Sequence, residues 1–521
     1  MSSTLYKRNV QFPGRGLVPA AQLVLHPDFT VGPVDRRLFG SFVEHMGRCV
    51  YEGIFEPGHP QADEHGFRQD VLRLVRELGV TVVRYPGGNF VSGYRWEDGV
   101  GPVSERPTRL DLAWRSIEPN TFGLHEFLTW SKQAEVEPML AVNLGTRGVQ
   151  EAADLVEYCN LPGGTLLSDR RAKNGSSDPF GIKLWCLGNE MDGPWQVGQK
   201  TADDYGKLAA EAAKAMRLVD PSIELVACGS SNRQMSTFAA WEATVLERTY
   251  EHVDYISMHA YYEETDNLAD FLATGIDMDG FIEDVIAATD YVRAKLRSKK
   301  QLRISFDEWN VWYQQAFQQR ARHDWQHAPA LIEDDFSVAD AVAVGSYLIS
   351  LLNHADRVRV ACQAQLANII APIRTQAGGP AWRQPIFYPF AHLARLARGV
   401  ALRLPVRSPA VVTPRYGEVP AISYAATWDE SAGRAALFVI NRDPDHTHTL
   451  QADLRALRLT GISEQLSLHD SNIRAINTAT DPDRVRPRSN ITARLRDGQL
   501  DLAVPPVSWT ALSLSSTPSG A

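Results

Sequence analysis

The sequence predicts an α/β protein: a (β/α)8 TIM barrel with a C-terminal, jelly-roll-like β-sandwich domain. Eight short runs rich in Val, Ile and Leu lie between residues 35 and 400, and helical periodicity separates them. After residue 400 the chain turns to short strand-like segments broken by turns.

The eight runs are Leu38–Glu44, Val80–Tyr85, Pro138–Asn143, Ile182–Glu190, Ile223–Gly229, Tyr255–Tyr261, Leu302–Glu308 and Arg357–Gln365. Continuous apolar character suits strands covered on both faces. Between the first two runs, Phe67, Val71, Leu74, Val75 and Leu78 recur at helical spacing. Similar patterns cover 122–134, 148–159, 201–217, 235–250, 280–296 and 336–353, with a last one near 387–398. An open doubly wound sheet would often carry a Gly-rich phosphate loop after its first strand. The turn here reads Glu44-His45-Met46-Gly47-Arg48, which holds no nucleotide fingerprint.

Strand-like segments then follow at Val411–Tyr416, Ala421–Ala426, Ala435–Asn441, Thr447–Leu454, Ile491–Arg496, Leu500–Val504 and Trp509–Leu514. Ala21–His26 reads as a strand that precedes the barrel and joins the sandwich. The expected organisation is an N-terminal segment 1–34 pairing with the sandwich, a catalytic barrel 35–400 and a sandwich 401–521.

The 521 residues carry a formal charge of −9, with 44% hydrophobic and 22% charged residues. No basic face favours nucleic acid. No run of eighteen apolar residues predicts a membrane span, and the first residues lack the apolar stretch of a secretory signal, so a cytoplasmic protein is expected. Cys49, Cys159, Cys186, Cys228 and Cys362 are odd in number and form no C-x-x-C pair, which fits free, buried thiols in a reducing compartment. The sequons at Asn174 and Asn490 read as chance matches in that setting. His323 with His327, and His446 with His448, read as solvated loop residues rather than metal ligands. The arginines at 484, 486, 488, 494 and 496 read as charged surface or a subunit contact.

A barrel's active site lies where its strands end. The ends carry Glu44, then Arg84 through Asn89, Asn143, Asn189 with Glu190, His259 through Tyr261, Asp307 with Glu308, and Gln363 with Gln365. Glu190 and Glu308, on strands four and seven, would face each other across the mouth. Glycoside hydrolysis needs such a pair, and a separation of about 5–5.5 Å implies retention, about 6.5–9.5 Å inversion. Arg84, Tyr261 and Asn189 are candidate donors to Glu308. Trp309, Trp312 and Trp114 could floor a sugar cleft. Taken singly these residues also have plain readings: strand-end ion pairs for the carboxylates, a structural Glu44–Arg84 salt bridge, packing for the tryptophans and a satisfied core histidine at 259.

The segments FGSFVEHMGRCVYEGI (39–54), RYPGGNFVSGYRWEDGVGP (84–102), WCLGNEMDGPWQVG (185–198), SMHAYY (257–262), FDEWNVWY (306–313) and QLANIIAPI (365–373) stand at these strand ends in one order. In them the chain resembles glycoside hydrolase family 51, the intracellular α-L-arabinofuranosidases of the clan A barrels, and the likeness runs on to VPPVSWTALSL (504–514). The resemblance implies an exo-acting, retaining enzyme that removes terminal α-L-arabinofuranosyl residues from arabino- and arabinoxylo-oligosaccharides by double displacement. It implies Glu190 as acid/base and Glu308 as nucleophile. Glu44, Asn89, Asn189 and Gln365 would bind the furanose hydroxyls, Arg84, His259 and Tyr261 would position the nucleophile, and Trp114 and Trp312 would border the leaving-group site. It implies no cofactor, no metal and assembly as a homo-oligomer, often a hexamer. The competing functions are a retaining β-xylosidase or endo-β-1,4-glucanase on a related barrel, and a non-catalytic sugar-binding protein.

Overall fold

A computed structural model of the protein describes residues 20–319, 323–404, 406–489 and 492–516. The sequon at Asn490 and the first nineteen residues lie outside that range.

Eight parallel strands close into a barrel, one for each predicted run. They are β1 (Gly40–Phe42), β2 (Val82–Tyr85), β3 (Glu137–Ala141), β4 (Leu184–Cys186), β5 (Glu224–Ala227), β6 (Tyr255–Tyr262), β7 (Arg303–Val311) and β8 (Val358–Gln363). Each neighbours the next, and β8 pairs with β1 to close the ring. β1, β2 and β4 are buried at every position, as a strand with both faces covered must be. Several strands stop short of the predicted runs. Glu44 lies two residues past β1 and Glu190 four past β4, because there the chain leaves the ladder to turn side chains into the mouth.

Helices follow the strands as their periodicity predicts. Gln69–Leu78 buries Val71, Leu72, Leu74, Val75 and Leu78 and ends on Gly79 at φ +77°, the left-handed conformation that glycine adopts without steric penalty. Val338–Asn353 is buried from Val338 to Leu352. It is apolar all round because it lies between the barrel and a sheet. Its first turn is closed reciprocally: Ser337 N–H donates to Asp340 Oδ2 at 2.7 Å, and the Ser337 hydroxyl accepts from the Asp340 N–H. A helix at Leu166–Lys173, not expected from the sequence, follows Val149–Asn160.

The C-terminal region is a sandwich. Its larger sheet runs Thr30–Pro33, Val400–Leu402, Ile422–Asp429, Arg434–Asn441, Ser508–Ser515, Gly461–Leu468, Arg488–Ser489. The smaller runs Val406–Arg407, Ala21–Val24, His448–Asp453, Gln499–Val504, Arg494–Arg496. Leu23, Leu437, Leu450, Leu502 and Leu512 share the core between them. The larger sheet packs on helix Val338–Asn353, where Gly345 meets Trp509: a Cβ on Gly345 would lie 2.5 Å from the indole Cδ1. Gly461–Leu468 was not expected as a strand; its burial does not alternate cleanly.

Candidate active site

Glu308 belongs to β7 and is buried. Arg84 Nη1 donates to its Oε1 at 2.7 Å and the Tyr261 hydroxyl to its Oε2 at 2.8 Å. Arg84 Nη2 donates to Asn189 Oδ1 at 2.5 Å, and Asn189 Nδ2 donates to Asn89 Oδ1 at 3.1 Å. Asn189 therefore meets Glu308 through Arg84 and not as its direct donor. Arg84 also stands 3.8 Å from Asp307 through Nε. Burial works against its charge, but Asp307 and Glu308 outweigh it and hold the guanidinium well above its ordinary pKa. Arg84 is thus paired with the β7 acids, and Glu44 takes other partners.

Glu190 follows β4 at φ +43°, a conformation that costs a non-glycine residue energy and aims its carboxylate across the mouth. Its Oε1 meets His259 Nδ1 at 2.9 Å, and Trp195 Nε1 donates to its Oε2 at 2.6 Å. His259 Nε2 meets Asp307 Oδ1 at 3.0 Å. Burial opposes a charge on His259, but Glu308 and the bonds to Asp307 and Glu190 prevail and raise it to about 10. An imidazolium occupied at both nitrogens has no lone pair for a metal. The ligand-type atoms of Glu190, His259 and Glu308 lie within 4.8 Å of one another, and His259 is already bonded at both nitrogens.

Local irregularity brings these groups together. His259 pairs with Glu308 in register, just past a shift between Ser257 and His259. β7 shifts again against β8 between Phe306 and Trp309. A regular pleat would send Asp307 and Glu308 to opposite faces; here both reach Arg84.

Glu44 forms the opposite wall. It accepts from Phe90 N–H at 2.9 Å, Trp114 Nε1 at 2.7 Å and Gln365 Nε2 at 3.1 Å. Burial pushes its carboxyl up to about 8, the Phe90 and Trp114 donors pull it partly back, and Glu308 and Asp111 push it further up. The Pro86-Gly87-Gly88 turn after β2 is glycine for a steric reason. A Cβ on Gly87, at φ +119°, would fall 2.4 Å from Glu44 Cβ and Cγ. Trp312 stands edge-on to Tyr261, 5.2 Å between ring centroids. Two cavities of about 690 Å³ are lined by residues other than the predicted site residues. One is lined by Tyr51, Phe55 and His327, the other by Phe90, Asp111 and Arg147.

The eleven predicted site residues fall into two sets, Glu44 with Trp114 and Gln365 and the other eight around Arg84, His259 and Tyr261, which interact through the charges of Glu44 and Glu308. Two participants were not singled out: Trp195, in the loop beyond Glu190, and Asp307, beside Glu308. The histidines at 446 and 448 both meet Asp443, at 3.2 and 2.8 Å. His323 Nδ1 meets the Asp324 carbonyl at 2.9 Å, and His327 packs against Tyr51. Arg484 pairs with Asp470 at 2.7 Å.

A closed (β/α)8 barrel with two buried carboxylates converging over its mouth has the acidic pair that a glycoside hydrolase uses. Two family models match, the α-L-arabinofuranosidase 1 domain over residues 74–281 and the α-L-arabinofuranosidase C-terminal domain over 307–508. An intracellular exo-α-(1→5)-L-arabinofuranosidase of Streptomyces lividans is 57% identical over 94% of this chain and 75% of its own. An exo-α-(1→6)-L-arabinofuranosidase of Bifidobacterium longum is 53% identical over 95% of this chain and 98% of its own. A solved family 51 α-L-arabinofuranosidase from Bifidobacterium longum superposes with a TM-score of 0.92 at 48% identity, covering 95% of this chain and all of that one. The chain belongs to glycoside hydrolase family 51, the α-L-arabinofuranosidases.

Proposed function

We propose that this chain is an exo-acting retaining α-L-arabinofuranosidase, with Glu308 as nucleophile and Glu190 as acid/base. The observation that carries this reading is the approach of the two carboxylates: one oxygen of each lies within 4.8 Å of the other. That close approach supports direct attack, for which about 5–5.5 Å between carboxyls is expected, over the wider spacing of inversion. Arg84 and Tyr261 hold Glu308 from two sides, which supports its role as an oriented anion. In the first step a Glu308 oxygen bonds to the anomeric carbon as the bond to the leaving oxygen breaks, and that oxygen takes the Glu190 proton. In the second, water attacks the same carbon, Glu190 takes its proton and Glu308 is released. Glu44, Asn89, Asn189 and Gln365 bind the furanose hydroxyls, His259 acts beside the two carboxylates, and Trp114 and Trp312 border the leaving group.

The substrates are short arabino- and arabinoxylo-oligosaccharides. The exo action named for the relatives supports terminal attack. The division into 1–34, 35–400 and 401–521 is supported by the pairing of Ala21–Val24 with His448–Asp453. Among the described residues no helix is long and apolar enough to cross a membrane, and the intracellular names of relatives support a cytoplasmic enzyme. It is a homo-oligomer, hexameric by family likeness; sedimentation giving a monomer would remove that part.

The deciding experiment is Glu308→Ala. Turnover of p-nitrophenyl α-L-arabinofuranoside should vanish and azide should restore p-nitrophenol release, giving an arabinosyl azide of inverted configuration. A variant that keeps its activity would remove the assignment. Wild-type preference for the p-nitrophenyl β-xyloside would favour a xylosidase instead.

A further inference from the structure

Asp307 is buried at 1% exposure, and the mechanism above gives it no part. It lies at the far end of a chain of contacts: its Oδ1 stands 3.0 Å from His259 Nε2, and His259 Nδ1 stands 2.9 Å from Glu190 and 3.6 Å from Glu308. Its Oδ2 faces Arg84 Nε at 3.8 Å and Cys186 Sγ at 3.7 Å. One imidazole therefore touches both proposed reacting carboxylates with a single nitrogen and gives its other nitrogen to Asp307.

Charge moves between those two carboxylates during the reaction. Before attack Glu308 is the anion and Glu190 holds the proton. In the glycosyl-enzyme Glu308 is an ester and Glu190 is the anion. The second step reverses both. A ring that keeps both protons sets Nδ1–H 2.9 Å from Glu190 and 3.6 Å from Glu308, within reach of either carboxylate when it is charged. A neutral imidazole cannot be relied on for this, because it carries one proton and the partner of one nitrogen decides the tautomer.

We propose that Asp307 is a positioning residue: by accepting the Nε2–H of His259 it keeps the ring a donor at both nitrogens, so that Nδ1–H follows the negative charge from Glu308 to Glu190 and back. This rests on the roles proposed for Glu190 and Glu308. The groups facing His259 agree with it. Glu190 from the loop after β4 and Asp307 with Glu308 from β7 are its acidic neighbours, while Arg84 and Tyr261 turn to Glu308. Together they raise His259 to about 10, so the doubly protonated ring spans the neutral range.

The test is Asp307→Asn in the full-length protein. The amide oxygen still accepts from Nε2–H, but the anion is gone, which removes two of the four causes that raise His259 and favours a neutral ring with a lone pair on Nδ1 facing Glu190. Hydrolysis of an aryl arabinofuranoside should fall on the order of 10²-fold at pH 8. The deficit should shrink steadily toward pH 5, where the ring regains its proton. The same fractional loss at every pH, or no loss, would overturn the proposal. Nitrogen-15 NMR of wild-type protein, with the His259 signals identified through His259→Gln, gives a reading that does not depend on the variant folding. Both ring nitrogens should be protonated at pH 7.5, and a neutral tautomer there would overturn it too. Glu308→Ala separates the two levels. If that variant stays active, the nucleophile assignment fails; if it is inactive and rescued by azide while Asp307→Asn gives a pH-independent deficit, only the role of Asp307 falls.

Discussion

Glu44→Gln tests how the site handles buried charge. The folded carboxyl sits at about 8 against an ordinary 4.5, so between those values the folded protein holds a proton that the unfolded chain has released. Stability must then fall as pH rises through this window, because the folded state binds more protons. The full displacement corresponds to roughly 5 kcal/mol, of which about 3 kcal/mol is lost between pH 5.5 and 9. Glutamine removes the titration while keeping the shape. Its oxygen accepts from Phe90 and Trp114, and its amide meets Gln365, whose own Oε1 has no partner and can turn to accept. Urea unfolding of both proteins at pH 5.5 and pH 9 is the assay. The two should be of similar stability at pH 5.5, and the variant should be more stable at pH 9 by about 3 kcal/mol. Asp111 and Glu308 interact with Glu44 by charge, so the difference between the proteins reports Glu44 together with that coupling. Parallel pH dependences, or a variant weaker at pH 9, would refute the reasoning.

Glu190→Ala should keep activity on aryl arabinofuranosides with good leaving groups and lose it on poor ones; steady-state rates across a leaving-group series check this. Arg84→Met leaves Glu308 and Asp307 buried without the guanidinium that meets both. It should cost about 3–5 kcal/mol in urea unfolding, together with nearly all turnover. Gly345→Ala drives a methyl into Trp509 between helix and sheet. It should lower stability by about 1–3 kcal/mol while turnover per folded molecule stays at the wild-type value.

The barrel was legible because its signal is repetitive. Eight apolar runs and the helical periods between them needed no long-range knowledge, and each run became a strand. Glu190 and Glu308 were legible because strand order alone places strands four and seven across the mouth. Asp307 was read as a strand-end residue but given no part, and alternation along a strand argues that the neighbour of an inward-facing residue faces away. The register shift that cancels this on β7 leaves no mark in the residues. Trp195 escaped for another reason: it belongs to a loop, and only the path of that loop returns its indole N–H to Glu190. Glu44 was found as a polar strand-end residue, but its shifted protonation depends on how completely Phe90, Trp114 and the glycine turn enclose it. The strand Gly461–Leu468 was hidden by polar residues on both faces.

Ala21–Val24 lies inside the smaller sheet, with Val406–Arg407 on one flank and His448–Asp453 on the other. An early stretch of polypeptide therefore fills a slot that later residues alone would leave open. Excising the last 120 or so residues would produce a fragment with two raw strand edges exposed to other chains. Such a fragment should be stickier than its composition suggests, and a synthetic peptide matching Ala21–Val24 and its neighbours is the natural patch for it.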